Sequence, residues 1–551
     1  MRAVTARAFA AMLTTLAHLS GPAEGTQYFI APSGDDSAAG TSPSAPWRTT
    51  ARANALSLQL GDAVLFLGGV DHEAGTLVVT VANAGVGDGA PVLVSSYGGS
   101  PAGQRARLHT NARVGAAVIV SESGGVEVSE LDVFGTGTAQ AKQAGILLYA
   151  NVNDTGAPRF AGVSVHDVSA QGYQMGIFVY SPFCRGFSGV RISRVLVQNN
   201  LINGIASDGA YSSACFSHSD IVVEDSVAFN NSGDASDASQ WTGSGIVLSD
   251  VDGALIQRCE AAFNGGSNRH LGGGPCGIWA WGSRNVTISH CVSHDNSNGF
   301  PEGTPNAQDG DGYDLDGGAS DSVIEYSLSF NNSGPGFLVC DFSGSPRRTF
   351  NNTVRFSVSI GDGRSVDEPA VAMNFYSPGV AMSNISIVGN TFVVAATASA
   401  KSVLAPMGGT PLPGLSLLRN AFLALPPDGQ STAAASLLDL SEMSAAAASG
   451  VNVSGNAYWA GSAGAMRVVW GGGATFASLA AFRNATGEET RADGTPTGSD
   501  ADPGLQRGAR WFSDCVPWFS GAFPDIPNSA ALTALRGFGG CGEGAAAGVA
   551  P

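Results

Sequence analysis

Lysine is almost absent from this chain, which holds only Lys142 and Lys401 among its 551 residues. Charged residues of all types make up 13%, and the formal net charge is −18. A surface so poor in basic groups offers little for phosphates to bind, so nucleic acid is not an expected partner. Runs of apolar residues long enough to span a membrane are also lacking, so we expect no membrane span.

The first 25 residues contain the longest apolar run of the chain. Arg2 and Arg7 precede apolar residues from Ala8 to Leu19, and small residues follow. This order is typical of a cleaved secretory signal peptide, and an ordinary buried helix is the alternative. We therefore expect a secreted, extracellular and monomeric protein, whose eight cysteines meet an oxidising compartment where disulfides can form.

Glycine is abundant, at 75 residues, and it accompanies a repeated strand pattern. Eleven copies of one template each begin at an apolar anchor, and the anchors span 325 residues in ten steps of about 32. A repeat of this length is typical of a solenoid or a propeller. The anchors are Val128, Val165, Ile192, Val223, Ile256, Ile288, Ile324, Val354, Ile387, Leu417 and Val453.

Asparagine often follows eight residues after an anchor. Side chains at the same position of stacked coils can hydrogen-bond to each other, so the pattern predicts an asparagine ladder inside the solenoid. Its predicted members are Asn200, Asn231, Asn264, Asn296 and Asn332.

A second short strand precedes many anchors and begins with glycine, as in GIFVY, GIVLS, GIWAW and GYDLD. Two or three short strands per coil, each parallel to its copy in the next coil, make a parallel β-helix. A propeller would need tight antiparallel hairpins, which the pattern does not show.

These repeats, with the entry segment from Tyr28 to Gly69, resemble the right-handed parallel β-helix proteins of the pectate-lyase-like superfamily over roughly residues 27–510. The resemblance implies an all-β, single-stranded right-handed parallel β-helix with N- and C-terminal caps. A short helix is expected from about Phe476, and Cys515 and Cys541 are expected to close the C-terminal end. The expected organisation is a signal peptide (1–25), an N-terminal cap and first coils (26–120), β-helix repeats (121–460), and a C-terminal coil, short helix and cap (461–551).

Strand alternation locates a candidate site. In GIWAW and GYDLD the first and third residues after glycine should face the core, so Trp279, Trp281, Asp314 and Asp316 should face outward. Coils stack at ~4.8 Å, which brings these four side chains into one patch. Aromatic rings stack on sugars, and carboxylates serve as acid and base or nucleophile, so the patch favours a carbohydrate-active protein. We predict that it binds a poly- or oligosaccharide and that Asp314 and Asp316 cleave it.

Five further residues are predicted to bind substrate or to support the catalytic carboxylates. Tyr180 and Asp208 belong to the same outward columns, and Asp341 is a further carboxylate of this wall. Arg269 and His270 lie on an insertion that lengthens one coil, where binding residues are often carried.

Asp311 has two interpretations. The first is a turn residue that bends the chain into the strand. The second is an acid, because Asp-Gly-Tyr-Asp at 311–314 resembles a stretch of polygalacturonases. The other motifs of those enzymes, an Asp-Asp pair, Gly-His-Gly and Arg-Ile-Lys, are absent here, so their mechanism is not carried over.

Three alternatives remain at this stage. Asp311, Asp314 and Asp316 could together hold calcium, the possible cofactor. A calcium-assisted polysaccharide lyase would then be the second enzyme candidate, with Arg269 or Arg284 neutralising a uronate. A non-catalytic extracellular adhesive protein could use the same wall only to bind glycans.

The cysteines pose a separate question. Cys184 and Cys215 lie in neighbouring loops and are expected to pair. Cys259 and Cys291 occupy the same template slot in consecutive coils, so they form either a disulfide or two buried thiols in the core.

Overall fold

The computed structural model describes residues 25–99, 103–110, 115–137, 144–301, 303–364, 370–395, 402–407, 409, 411–425, 436–461 and 466–501. The proposed signal segment lies almost wholly outside these ranges, as do Cys515, Cys541 and most of the proposed C-terminal cap. Within the described ranges, no helix combines the length and the apolar character needed to cross a membrane.

The chain winds into a parallel β-solenoid, which confirms the all-β parallel β-helix predicted from the repeats. One wall is an eleven-stranded parallel sheet, here called the site sheet, with one strand from each coil. Its strands in chain order are β1 (Leu77–Val79), β2 (Val118–Ser121), β3 (Ala144–Tyr149), β4 (Met175–Tyr180), β5 (Asn203–Asp208), β6 (Ser244–Ser249), β7 (Ile278–Trp281), β8 (Tyr313–Asp316), β9 (Phe337–Cys340), β10 (Ala370–Tyr376) and β11 (Ser402–Met407).

The remaining walls form a bent sheet of 27 strands, here called the back sheet. Two long strands, Val126–Phe134 and Val163–Gln171, run through both of its arms. The first arm also contains Gln27–Ile30, Ala63–Leu67, Val92–Tyr97, Phe160–Ala161, Phe187–Ser188, Arg191–Ser193, His218–Glu224, Val251–Gln257, Arg284–Ser289, Val323–Glu325, Thr353–Arg355, Ser386–Val388, Ser416–Leu418 and Asn452–Ser454. Its second arm contains Asp71–His72, Ala106–His109, Leu196–Gln198, Val227–Phe229, Glu260–Ala262, Val292–His294, Leu328–Phe330, Val358–Ile360, Thr391–Ala395, Ala421–Leu425 and Ala457–Trp459.

The back sheet has the register that the repeated anchors predict. Each of the eleven anchors is paired with the anchor of the next coil, from Val128 with Val165 through to Leu417 with Val453. All eleven side chains are buried in one continuous core. A shift of one residue would turn each anchor to the opposite face, so this burial fixes the register of every coil.

Two ladders of amide side chains run along the solenoid. In the first, which contains the five predicted asparagines, each Nδ2 donates to the side-chain Oδ1 of the next coil at 2.9 Å, and the ladder ends at Asp362. The second runs from Asn390 through Asn420 and Asn456 to Glu489, with distances of 2.8–3.1 Å. Buried amides need partners, and the stacked coils supply one partner per step.

The two cysteine pairs have different outcomes. Cys184 and Cys215 form a disulfide, as expected. Cys259 and Cys291 are buried free thiols, so the second of the two alternatives is correct. Each of these thiols donates to backbone carbonyls, Cys259 to Gln257 and Cys291 to Ser289, both at 3.3 Å.

The C-terminal part of the described chain departs from the coil pattern. A three-stranded sheet of Leu438–Asp439, Val468–Trp470 and Ala474–Phe476 includes one antiparallel pair. The predicted short helix begins at Leu479, where Ser478 caps it by accepting from the amide of Ala481, and the left-handed Gly487 ends it. The helices are Ala445–Ala448 and Leu479–Thr486, with 3-10 turns at Ala53–Ala55, Ala82–Gly85 and Gly471–Gly473.

Candidate active site

Four of the predicted site residues meet on the outer face of the site sheet. Trp279 pairs with Asp314 and Trp281 pairs with Asp316 across β7 and β8. All four line one cavity of about 440 Å³. The cavity continues over β9, β10 and β11 and is completed by residues of loops and neighbouring strands, among them Trp241, Gln308, Asp309, Leu338, Cys340, Phe342, Asn374, Tyr376 and Met407.

The strands alternate as predicted, but the outward side chains are largely shielded from solvent. Tyr313 and Leu315 belong to the core. Asp314 and Trp279 point away from that core, but each is only 3% exposed. The loops that connect each long coil back to the site sheet supply Gly272, Gly273 and Gly274 from one insertion and Gln308 from the next. These two insertions, here called the roof, line part of a cavity that remains partly open to solvent.

Asp316 is half-buried, and its surroundings favour the protonated acid. Burial raises the pKa of its carboxyl above the ordinary value, while hydrogen bonds from the backbone amide of Gly317 and the Cys340 thiol act in the opposite direction. Burial also raises the pKa of the Cys340 thiol well above its usual value, so this thiol stays protonated and can donate. The result is a carboxyl that holds its proton to a higher pH than an exposed aspartate.

Asp314 has two close neighbours at the base of the cavity, Asp311 and Cys276. Among the described residues these three form the group whose potential ligand atoms all lie within 4.8 Å of one another, and all three are buried. The Cys276 sulfur lies 3.9 Å from Asp311 Oδ2. Burial raises the pKa of the Cys276 thiol well above its usual value, so the group consists of two carboxyls and a neutral thiol.

This donor set fits calcium poorly. Calcium takes six to eight oxygen ligands, and sulfur is a ligand for softer ions such as zinc. Asp311 and Asp314 of the proposed calcium trio lie together, but the third member of the compact group is Cys276 and not Asp316. Asp311, Asp314 and Asp316 therefore do not form the oxygen-rich site that calcium requires.

The loop residues predicted to bind substrate have structural contacts. Arg269 donates to the carbonyls of Asn268 and Gly299, and His270 Nδ1 lies 2.8 Å from the carbonyl oxygen of Gly273. Both therefore brace the roof, and neither is among the described residues that line the cavity.

Asp341, Tyr180 and Asp208 also lie outside this cavity lining, as far as the chain is described. Asp341 is fully buried and accepts from the amides of Phe342 and Thr349, which fixes the loop after β9. Tyr180 and Asp208 are paired neighbours on β4 and β5, further along the same face. Burial raises the pKa of Asp208.

The residues that sequence reasoning missed come from loops or from a coil without the leading glycine. Tyr211 stacks on Trp281 with ring centroids 4.2 Å apart, and its hydroxyl donates to Ser249 Oγ at 2.9 Å. Asn374 and Tyr376 continue the two outward columns on β10, where alternation alone could have found them. Trp241, Cys276 and Tyr211 have no signal in the repeat.

The loop that carries Tyr211 is held from two sides. The disulfide at Cys215 ties it to the preceding coil. From the other side, the Arg347 guanidinium donates to the Cys215 carbonyl and to Asp250, the latter at 2.9 Å, and lies 3.8 Å from the centre of the Phe216 ring. Such contacts fix the aromatic ring beside Trp281.

No protein-family model and no curated protein matches this chain. Among solved structures it is similar to a GH136 lacto-N-biosidase from Eubacterium ramulus. The native protein gives a TM-score of 0.50 at 16% identity over 67% of this chain and 64% of that one. Its selenomethionine derivative gives 0.51 at 15%, over 73% and 67%.

The A-module of a mannuronan C-5 epimerase from Azotobacter vinelandii gives a TM-score of 0.42 at 12% identity, over 65% of this chain and 86% of that one. At 15–16% identity the similarity to the lacto-N-biosidase shows the β-helix fold alone.

Proposed function

We propose that this protein is a glycoside hydrolase that binds a neutral poly- or oligosaccharide in the cavity above β7 to β11. The observation that carries the proposal is the shared register of Trp279 with Asp314 and of Trp281 with Asp316, which places two indoles and two carboxyls in one cavity of about 440 Å³. Indole faces bind the apolar faces of sugar rings, and paired carboxyls are the usual catalysts of glycoside hydrolysis.

In this proposal Asp316 is the general acid. Burial raises its pKa, so the carboxyl holds its proton to a higher pH than an exposed aspartate does, and it donates that proton to the leaving glycosidic oxygen. Asp314, on the same face of the strand, acts as the base that activates water or as the nucleophile. Trp279 and Trp281 position the sugar over the pair.

The cavity lining favours a neutral glycan over a uronate. A polysaccharide lyase needs a cation to neutralise the substrate carboxylate and a base near the adjacent proton. None of the described residues that line the cavity is Lys, Arg or His. Arg284 pairs with Asp252 on the back sheet at 2.6 and 2.8 Å. A polyanion would therefore meet only carboxyls and neutral groups here.

Two further observations support the class of protein proposed. The lacto-N-biosidase similar to this chain shows that the same architecture can carry a glycosidase, although that is a likeness of fold. The N-terminal segment supports a secreted, extracellular location, which suits a glycan substrate, and we propose that the protein acts as a monomer.

The test is a depolymerisation screen of neutral and uronate polysaccharides, read by new reducing ends and by ultraviolet absorbance. We expect reducing ends without an unsaturated chromophore, and a loss of roughly 10²–10⁴-fold in kcat for Asp316→Asn. Asp314→Asn should also abolish turnover. Asp220→Asn is the matched control, because Asp220 is an exposed carboxylate on the back sheet.

Three results would contradict the proposal. An ultraviolet-absorbing product that disappears with a chelator would show a lyase. Glycan binding without any product would show an adhesive protein. Full activity of Asp316→Asn would remove the acid role. Anomeric NMR of the first product then separates water attack from a covalent intermediate.

A further inference from the structure

A second cavity of about 370 Å³ lies on the same face of the site sheet, toward the N-terminus. It is lined by Tyr149, Gln174, Met175, Phe178 and Tyr180, with Leu147 among the remaining residues. We propose that this cavity, here called the distal cleft, binds the far end of the substrate glycan. The inference rests on the proposed function and names its substrate class: a neutral glycan long enough to reach both cavities.

The chemistry of the distal cleft suits uncharged sugar. The Tyr180 ring is nearly parallel to the rings of Phe178, at 5.4 Å and 10°, and of Tyr149, at 5.9 Å and 21°. All three residues are half-buried, so apolar ring surface remains open to a ligand. Aromatic surface binds sugar C–H faces, while the two phenol hydroxyls and the Gln174 amide can hydrogen-bond to sugar hydroxyls.

Charge further restricts the ligand. No charged side chain belongs to the described lining of the distal cleft. A carboxylate or phosphate that entered the cleft would lose its hydration, and no cation in this lining would replace the lost interactions. A neutral sugar loses only hydroxyl hydration, which the phenols and the amide replace.

The linings of the two cavities are connected along the site sheet. The outward column that begins at Phe178 passes through Ala206 and Val247 to Trp279 and Asp314. One apolar cluster joins the cavities, because Met175 and Phe178 of the distal cleft pack on the same buried residues as Trp241 and Trp281 of the candidate active site.

The distance between the cavities sets the length of the ligand. Tyr180 lies on β4 and Asp316 on β8, four coils apart, which corresponds to ~19 Å along the solenoid axis. A single sugar or a disaccharide at Asp316 cannot reach that far, whereas a longer oligosaccharide can. Asp208, next to Tyr180 on β5, is a carboxyl on this path.

The test uses length series, from disaccharide to octasaccharide, of the neutral glycans in the screen, whether or not the wild type cleaves them. For the wild type, we expect kcat/KM to rise with length until the chain reaches the distal cleft. In the double variant Tyr149→Ala/Tyr180→Ala, the ratio of kcat/KM for the longest to the shortest substrate should fall about tenfold. Tyr326→Ala is the matched control, because Tyr326 is an exposed tyrosine stacked on Phe356, and both residues lie between strands of the back sheet.

The affinity of the same oligosaccharides, measured by calorimetry, separates this inference from the proposed function. Length-dependent affinity that the double variant loses, without any cleavage by the wild type, would support the distal cleft and refute hydrolysis. Cleavage that depends on Asp316 but not on chain length would support hydrolysis and overturn the cleft. Wild-type length dependence in the double variant would also overturn it.

Discussion

Asp362 stands where the first ladder would continue with another asparagine, and it is only 6% exposed. Its Oδ1 accepts from the amide N–H and from Nδ2 of Asn332, both at 2.9 Å, and its Oδ2 accepts from Ser359 Oγ at 2.6 Å. One coil earlier, Asn332 Nδ2 donates to Ser329 Oγ at 3.0 Å. Asp362→Asn would therefore keep the Oδ1 bonds, and its new Nδ2 would donate to a serine hydroxyl that turns to accept.

The size of the expected stabilisation follows from the pKa of the Asp362 carboxyl. Burial raises its pKa from the ordinary 3.8 to about 6. The folded state thus binds this proton more tightly than the unfolded state does. The contribution of this carboxyl to stability is therefore complete below the unfolded pKa of about 4 and is lost as pH rises through 6. A pKa difference of about 2 corresponds to ~3 kcal/mol at neutral pH. Asp362→Asn removes that cost, and we expect it to stabilise the protein by ~1–3 kcal/mol at pH 7.5.

Calorimetric melting at several pH values checks this prediction. Asp362→Asn should raise Tm by roughly a few degrees at pH 7.5, and its advantage over the wild type should vanish near pH 4. Asp220→Asn, which removes an exposed carboxylate, should change Tm little at either pH. An Asp362→Asn protein that melts below the wild type at pH 7.5, or a difference that does not vary with pH, would refute the reasoning.

Two predictions concern the candidate active site. Cys340→Ala removes a hydrogen-bond donor to Asp316 and should shift the alkaline limb of the kcat/KM profile to higher pH. Cys340→Ser keeps a donor and should leave this limb in place. An unmoved limb in the alanine variant would contradict the hydrogen bond from Cys340 to Asp316. Tyr211→Ala should raise KM about five- to tenfold because Trp281 loses its stacking partner. Tyr211→Phe keeps the ring and loses the hydroxyl contacts with Ser249 and Asp208, so its KM should stay within about twofold of the wild-type value. Equal KM values for the two variants would show that stacking is unimportant.

The register of this fold could be predicted from sequence because it depends on two short periods. Alternation along GYDLD decides which side chains face the core, and the anchor repeat decides which residues are neighbours across coils. Tyr313 in the core and Asp314 opposite Trp279 both follow from these periods. No long-range information is needed, since each coil pairs only with its neighbours.

The surroundings of the site could not be predicted in the same way. The repeat has no position for Tyr211, whose place depends on a disulfide and on the contact of Arg347 with Asp250, 97 residues away in sequence. Cys276 follows an insertion of irregular length, so its approach to Asp311 has no periodic signal either.

The insertions and loops, which do not follow the repeat, determine the chemical environment on the site sheet. On an uncovered outer wall, Asp316 would be hydrated and its pKa would lie near the ordinary value, and the adjacent indole of Trp281 would face water. Residues of the roof and of β9 line the same cavity as Asp316, and burial is the main cause of the raised pKa of Asp316. The solenoid therefore fixes where the carboxyls lie, while the insertions decide whether one of them can act as an acid. The same division explains why proteins that share this scaffold need not share a reaction.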